Sequence, residues 1–300
     1  MPRNTTPRPF RPFSLGGDLP VSRIGYGAMR LLGPDQWGPY PHHDDGVDLL
    51  RGVIDAGVNL IDTADVYGPH SNELLIHDAL APYARDLVIA TKGGFVRPRP
   101  GPHVTAIGNP DYLRQSVHMS ARRLGRDRID LYYLHSAWAT DASFEDQVGT
   151  LAELRDEGLI RHIGLSNLTV DQLKTAQAIT PIAAVTAHYN VAARANQDLL
   201  DATIASGAAF VPWQPVSLTT PGDPTDTTGP AHLHQVLAPI ADAHGATIPQ
   251  VSLAWLLAIA PGVLPIPATT RLDHFRENLG ALDLTLTPQE LATIDDLGTP

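Results

Sequence analysis

Short runs of consecutive apolar residues alternate with longer stretches of helical periodicity along most of the chain. The runs are RIGYGAM (23–29), VNLIDTA (58–64), DLVIATK (86–92), IDLYYLHS (129–136), RHIGLSN (161–167), AAVTAHYN (183–190), AAFVPW (208–213) and VLPIPA (263–268). They are apolar at consecutive rather than alternate positions, which is how strands buried on both faces of a parallel sheet read. Between them the spacing predicts helices over 44–56, 72–83, 111–124, 143–157, 169–178, 197–206 and 249–260. Asp111 after Pro110, Ser143 and Thr169 stand where caps or first-turn residues belong, and Gly57, Gly125 and Gly158 follow the last apolar positions as stops. Eight strand–helix repeats in about 250 residues is the arithmetic of a (β/α)8 TIM barrel. Ahead of the first run, FSLGGDLPV (13–21) predicts an N-terminal β-hairpin that plugs the barrel's lower end. Two longer loops rich in Pro and Gly, 93–110 and 214–230, follow the third and seventh runs, on the side that carries active sites in barrels.

Composition narrows the chemistry. The 300 residues carry 21 Lys+Arg against 32 Asp+Glu, a formal net charge of −11, which argues against nucleic acid or an anionic membrane as the main partner. Cysteine is absent, so disulfides, thiolate metal ligands and thiol catalysis are excluded. Apolar content of 43% without a long uninterrupted apolar run reads as a soluble globular protein, and MPRNTTPRPFRPF has no apolar core of the kind a secretory signal needs, so a cytoplasmic location is expected. No linker divides the chain, which is read as one barrel domain over 1–300, with 1–12 as a flexible tail. His42-His43 and His232-x-His234 lie in polar stretches and are read as solvated side chains, so no metal is expected.

Polar residues end several of the apolar runs. The second ends in Asp62, with Tyr67 five residues on; the third ends in Lys92, the fourth in His135, and the fifth in Ser166-Asn167. In a closed barrel these ends converge on one mouth. A charge there is costly unless paired, so Asp62 and Lys92 are expected to pair across adjacent strands. Lys92 beside the Tyr67 hydroxyl is expected to favour phenolate and lower its pKa from about 10, making a general acid, with His135 orienting the reacting oxygen. Singly, each of the four has an ordinary structural role; together at successive strand ends they read as machinery for protonating an alkoxide. Lys92 is one of only two lysines, Lys92 and Lys174.

These residues resemble the aldo-keto reductase family over nearly the whole chain. The motifs that carry the likeness are NLIDTADVYG, ATKGG, DLYYLHS, GLSN, the YN of AHYN, and IPATTRLDHFREN. The resemblance implies a barrel that binds NADPH, with NADH as the alternative, without a Rossmann domain. It implies a tetrad in which Tyr67 is the general acid/base, Lys92 and Asp62 tune it, and His135 positions the carbonyl. For the cofactor it implies Gly27, Ala28 and Met29 in the lining, Asp62 beneath, and Ser166 and Asn167 on the nicotinamide carboxamide. Trp213 stands where relatives place a stacking aromatic, followed by Gln214, Pro215, Val216 and Ser217. Thr269, Thr270, Arg271 and His274 match positions near the adenosine 2′-phosphate, and Glu277 and Asn278 match adenine contacts in the last helix. Three positions depart from the family: Ala268 and His274 replace a basic residue, with Arg271 and Arg276 left to supply charge, and Thr186 replaces the glutamine that completes the carboxamide clamp. YGPH (67–70) and HFREN look most like the bacterial branch that includes pyridoxal reductases, with Tyr26, Trp37, His70 and Trp138 as candidate substrate-pocket walls.

Two other readings stay open on the residues alone. Lys92 near a strand end would also suit a Schiff-base lyase, and the same fold serves as a nucleotide-sensing regulatory subunit in some relatives. The partner expected is a small carbonyl compound; the sequence is silent on oligomeric state.

Overall fold

The computed structural model describes residues 12–218 and 229–297; all but the last residue of the expected tail over 1–12 and most of the loop over 214–230 lie outside these bounds. The chain opens with an antiparallel hairpin, β1 (Phe13–Leu15) and β2 (Leu19–Val21), turned by Gly16 and Gly17 at positive φ. Then come β3 (Tyr26–Gly27), α1 (His43–Asp55), β4 (Leu60–Asp62), α2 (Ser71–Leu80) and β5 (Val88–Gly93). The third loop folds into a small hairpin, β6 (Phe95–Val96) and β7 (Thr105–Ala106), before α3 (Pro110–Leu124) and β8 (Ile129–Leu134). There follow α4 (Phe144–Asp156), β9 (Ile160–Ser166), α5 (Val170–Ile179), β10 (Ile182–His188), α6 (Gln197–Ala205) and β11 (Ala209–Trp213). The chain closes with α7 (Gly229–His244), α8 (Ile248–Ile259), α9 (Leu272–Leu279) and α10 (Pro288–Asp296).

Seven parallel strands form one sheet in the order β11-β10-β9-β8-β5-β4-β3, interleaved with helices, the architecture of a (β/α)8 barrel. The eighth apolar run, 263–268, forms no regular strand, which corrects the sequence expectation. Pro265 and Pro267 have no N–H to give a ladder. Their carbonyls nevertheless accept from Gly25 N (3.0 Å) and Gly27 N (3.3 Å), while Leu264 N donates to Phe210 O (2.9 Å). The segment thus joins β11 to β3 and closes the barrel. Gly27 is needed here because a Cβ would stand 2.8 Å from Ile266 O, a backbone atom.

Caps fall where the chain calls for them. Ser143 accepts from Asp146 N, Thr169 forms a capping box with Gln172, and Asn109, just before Pro110, accepts from Asp111 N and Tyr112 N. The second helix stops at Leu80 rather than 83, ahead of Pro82. The helix over 229–244 was not visible in the pattern because Pro239 interrupts it, and α10 follows the helix expected to be last. Inside the barrel, Leu60, Val88, Leu131, Tyr133, Ala184, Val211 and Leu264 pack with Leu15, Leu19 and Val21 of the first hairpin, which seals one end as expected. A second apolar layer lies between the strands and the helices. Among the described residues no helix is long and apolar enough to cross a membrane.

Candidate active site

Strand parity decides what reaches the open end. Side chains alternate between the barrel interior and the helix layer, and the register is fixed by Asp62↔Ala90, Lys92↔Tyr133, Tyr133↔Gly164 and Thr186↔Ser166. Leu60, Ala90, Tyr133, Ala184 and Val211 are interior residues. Two positions further along each strand stand Asp62, Lys92, His135, Thr186 and Trp213, which therefore share the interior face at the C-terminal mouth.

Asp62 and Lys92 are both buried and form a very short ion pair, with Lys92 Nζ also donating to Thr63 O at 2.8 Å. Burial lifts the Asp62 carboxyl above its ordinary value and Lys92 pulls it back. Burial opposes the Lys92 charge in turn, but Asp62 and then Tyr67 hold the ammonium above its ordinary pKa. Lys92 Nζ lies 5.4 Å from the centre of the Tyr67 ring. Against the sequence expectation, the Tyr67 phenol is raised rather than lowered: desolvation in the mouth outweighs the pull of Lys92. Tyr67 therefore keeps its proton in the resting protein while Lys92 stands ready to favour its loss.

His135 packs edge-on against Tyr67 (6.2 Å between ring centres) and Phe95 (4.7 Å). Burial and the nearby Lys92 charge hold it well below its ordinary pKa, so the imidazole is neutral; its buried Nδ1 has no partner. Trp138 is exposed and packs tilted against Phe95, with 5.3 Å between ring centres, and Trp37 is exposed on the loop after β3.

On the far side of the mouth Ser166, Asn167 and Trp213 meet. Asn167 Nδ2 donates to Ser166 Oγ (2.8 Å), and Trp213 Nε1 donates to Asn167 Oδ1 (3.2 Å). This leaves the Ser166 O–H as a donor and the second lone pair of Asn167 Oδ1 as an acceptor, the complement of a primary carboxamide. Asn167 is held at φ 54°, a left-handed conformation asparagine tolerates. Thr186 spends its hydroxyl inside the barrel, donating to Val211 O at 2.7 Å, so it offers only an acceptor to a ligand. His188, which sequence reasoning passed over, stacks on Trp213 at 4.3 Å; it is two residues beyond Thr186 on the interior parity, a signal the pattern contained. Asn190 Nδ2 donates to Gln214 O (2.9 Å) and pins the start of the loop that carries Gln214, Pro215, Val216 and Ser217.

Other candidates are placed differently. Tyr26 is no pocket wall: paired in register with Ile61, it points into the helix layer, is fully buried, packs edge-on against Phe275 and donates to Thr269 O at 2.7 Å. Gly27 is taken up by barrel closure, Ala28 is fully buried with its carbonyl accepting from Asn72 Nδ2, and Met29 is exposed. His70, at φ 78°, lies in a cavity of about 290 Å³ that is also lined by Asp65, Phe95, Arg97, Tyr112 and Arg123. Thr269 accepts from Arg271 N at the start of α9, the Arg271 guanidinium forks onto Asp273, and Asp273 also accepts from His274 N. The charge assigned to Arg271 is therefore already partnered, while Arg276 is exposed without an ion pair among the described residues. Thr270 is exposed. Glu277 accepts from Thr247 Oγ1 and, through its carbonyl, from Gln250, tying α9 to α8; Asn278 is buried.

A family model described as "Aldo/keto reductase family" matches residues 23–299. Pyridoxine 4-dehydrogenase of Escherichia coli (strain K12) is 38% identical over 286 residues, covering 94% of this chain and 96% of that protein. Among solved structures, a thermostable aldo-keto reductase in complex with the inhibitor epalrestat aligns with a TM-score of 0.79 and 32% identity, over 93% of this chain and 96% of that one. An aldo-keto reductase from Klebsiella pneumoniae in complex with NADPH aligns with a TM-score of 0.78 and 26% identity, over 96% and 95%.

Proposed function

The chain belongs to the aldo/keto reductase family, and from that premise we propose that it reduces aldehydes or ketones with NADPH, using Tyr67 as the general acid. The observation that carries the reading is the convergence of a buried Lys92–Asp62 pair, a protonated Tyr67 and a neutral His135 on one mouth, beside the Ser166–Asn167–Trp213 cradle. The cradle suits a nicotinamide: one donor and one acceptor for the carboxamide, and an indole whose stacking on His188 fixes its orientation. When bound, NADPH supplies the hydride that the carbonyl carbon takes up.

The chain's own residues handle the oxygen. A neutral His135 donates a ring N–H to the carbonyl oxygen without competing for its proton. As negative charge grows there, Tyr67 gives its phenolic proton, and the resulting phenolate is stabilised by the Lys92 ammonium, which Asp62 and Thr63 O hold in place. In the reverse direction the same phenolate accepts the proton. Phe95 and Trp138 supply an apolar wall next to His135, which favours substrates with a planar or aromatic face.

Similarity to a pyridoxine 4-dehydrogenase supports pyridoxal as a substrate. The test is NADPH oxidation followed at 340 nm against pyridoxal and a set of aliphatic, aromatic and sugar aldehydes, with NADH run beside it. Turnover of aldehydes without pyridoxal would remove the pyridoxal assignment and leave the reductase reading; NADPH binding with no turnover of any carbonyl would remove both and favour a sensing subunit. Because Arg271 is engaged by Asp273, the preference for NADPH over NADH is expected to be modest, with Arg276 as the free charge near the adenosine end.

A further inference from the structure

Arg97 is a buried guanidinium whose charge nothing in the described structure balances. It is 8% exposed. Its Nη1 donates to Gly101 O and its Nη2 to Gln36 Oε1 at 2.9 Å, both neutral acceptors, and its buried Nε has no partner. Among the described residues no carboxylate lies within ion-pairing distance of it. The neighbouring cations differ: Lys92 is paired with Asp62, and Arg123 with Glu73. A buried unpaired charge is costly, and proteins that retain one usually have a counter-ion for it.

Its position says where the counter-ion belongs. Arg97 follows β6 two residues after Phe95, the side chain that packs on His135, and both line the cavity of about 290 Å³ beside it. Its charge acts on the Tyr67 hydroxyl. Through Gln36 and Gly101 it ties the loop after β3 to the loop after β5, a link reinforced by Gly101 N donating to Asp35 O at 2.7 Å. Asp35 and Gln36 both sit at positive φ, 54° and 57°, a conformation unfavourable for non-glycine residues that the surrounding contacts must maintain. The strained turn presents an amide oxygen, not a carboxylate, to the guanidinium, and so holds Arg97 without neutralising it.

We propose that Arg97 is a specificity-determining residue that binds an anionic substituent, a carboxylate or phosphate, on the carbonyl substrate. The proposal rests on the reductase reading above. A carboxylate on the substrate would exchange a solvated ion for a charge-assisted hydrogen bond to a guanidinium that Gly101 O and Gln36 Oε1 hold in place. Arg97 would act on binding, so its effect belongs in KM more than in kcat.

The test compares 4-carboxybenzaldehyde with its neutral isostere 4-carbamoylbenzaldehyde, as the ratio of their kcat/KM values, in the wild type and in R97M, R97K and Q36E. Intrinsic reactivity of the two aldehydes cancels when ratios are compared between proteins. R97M should lower the ratio by about 10- to 100-fold, mainly through KM, and R97K should retain part of it. Q36E is the decisive variant: it leaves Arg97 in place, converts its neutral acceptor into a carboxylate, and should lower the ratio by a similar factor while the carbamoyl compound is still turned over. An unchanged ratio in Q36E and R97M would overturn the proposal. Equilibrium binding of benzoate against benzamide to the NADP-loaded protein gives a second readout. If no aldehyde reacts but benzoate binds more tightly and loses that advantage in Q36E, the reductase reading fails and the anion site stands. If benzoate shows no advantage over benzamide, the anion site fails.

Discussion

Replacing Asp62 with Asn asks how far the ammonium at the centre of the mouth depends on one carboxylate. The two side chains have nearly the same shape; Asp62 is 4% and Lys92 3% exposed, and the other acceptor on Lys92 is a neutral carbonyl. Removing one partner of a buried pair costs about 3–5 kcal/mol because the other charge stays behind. The variant has one escape, loss of the Lys92 proton. From an ordinary pKa of about 10.4, that loss costs roughly 3.4 × 1.36, or about 4.6 kcal/mol, at pH 7 and only about 1.9 kcal/mol at pH 9. The expected destabilisation is therefore about 3–4.6 kcal/mol at pH 7 and no more than about 1.9 kcal/mol at pH 9. In the wild type Lys92 is held above its ordinary pKa, so its contribution is complete below the unfolded value and disappears only as pH rises through the folded one, beyond this window. In the variant the folded-state Lys92 is depressed instead, the unfolded chain binds more protons, and stability climbs with pH. Urea unfolding of both proteins at pH 7 and pH 9, followed by tryptophan fluorescence, measures the difference. A loss of less than about 1 kcal/mol at pH 7, or an equal loss at both pH values, would refute the argument that the pair is a buried, mutually dependent charge set.

Three further outcomes follow from the same geometry. Tyr67→Phe should lower kcat by about 10²–10⁴-fold at saturating NADPH while leaving NADPH affinity unchanged, measured by stopped-flow turnover and fluorescence titration; near wild-type turnover would remove Tyr67 from the mechanism. Because burial and then Lys92 hold His135 well below its ordinary 6.5, and burial holds Tyr67 above its ordinary 10.0, kcat/KM for reduction should be flat from about pH 6 to 8 and fall only on the alkaline side of Tyr67 ionisation; a fall centred near pH 6.5 would mean a solvated imidazole. Trp213→Ala should weaken NADPH binding by about 5- to 100-fold, the scale of one aromatic–base stack, and a fluorescence titration showing no change would place the nicotinamide elsewhere.

How much of this was legible in the sequence depends on which property each inference used. Continuous apolar runs identify strands buried on both faces, and seven of the eight become regular strands. The eighth has the same apolarity but not the same donors: Pro265 and Pro267 remove the N–H groups a ladder needs, and the segment closes the barrel through its carbonyls instead. The helix over 229–244 was hidden by Pro239, which the helix accommodates. The convergence of Asp62, Tyr67, Lys92 and His135 was legible because each ends or follows an apolar run, whereas the direction of the Tyr67 shift was not, since it depends on how completely the loop and the Phe95 hairpin exclude water.

Tyr26 and His188 show what a polarity rule lacks. Tyr26 opens the two-residue β3 and is core, while His188 ends β10 and stands at the mouth against Trp213. The difference is one step of register: Tyr26 lies opposite Ile61, which faces the helices, and Gly27 lies opposite Asp62, which faces the mouth. Counting in twos from Leu60, Ala90, Tyr133, Ala184 and Val211, residues that fill the interior, reaches Asp62, Lys92, His135, Thr186 and Trp213, and one further step on the sixth strand reaches His188. The same count assigns Thr91 to the helix layer, where its hydroxyl donates to Glu73 rather than to anything in the mouth. Parity is available from sequence once a single interior position per strand is known, so strand-end chemistry in a barrel is better sought among residues an even number of steps from an interior anchor than among all polar residues at the ends of apolar runs.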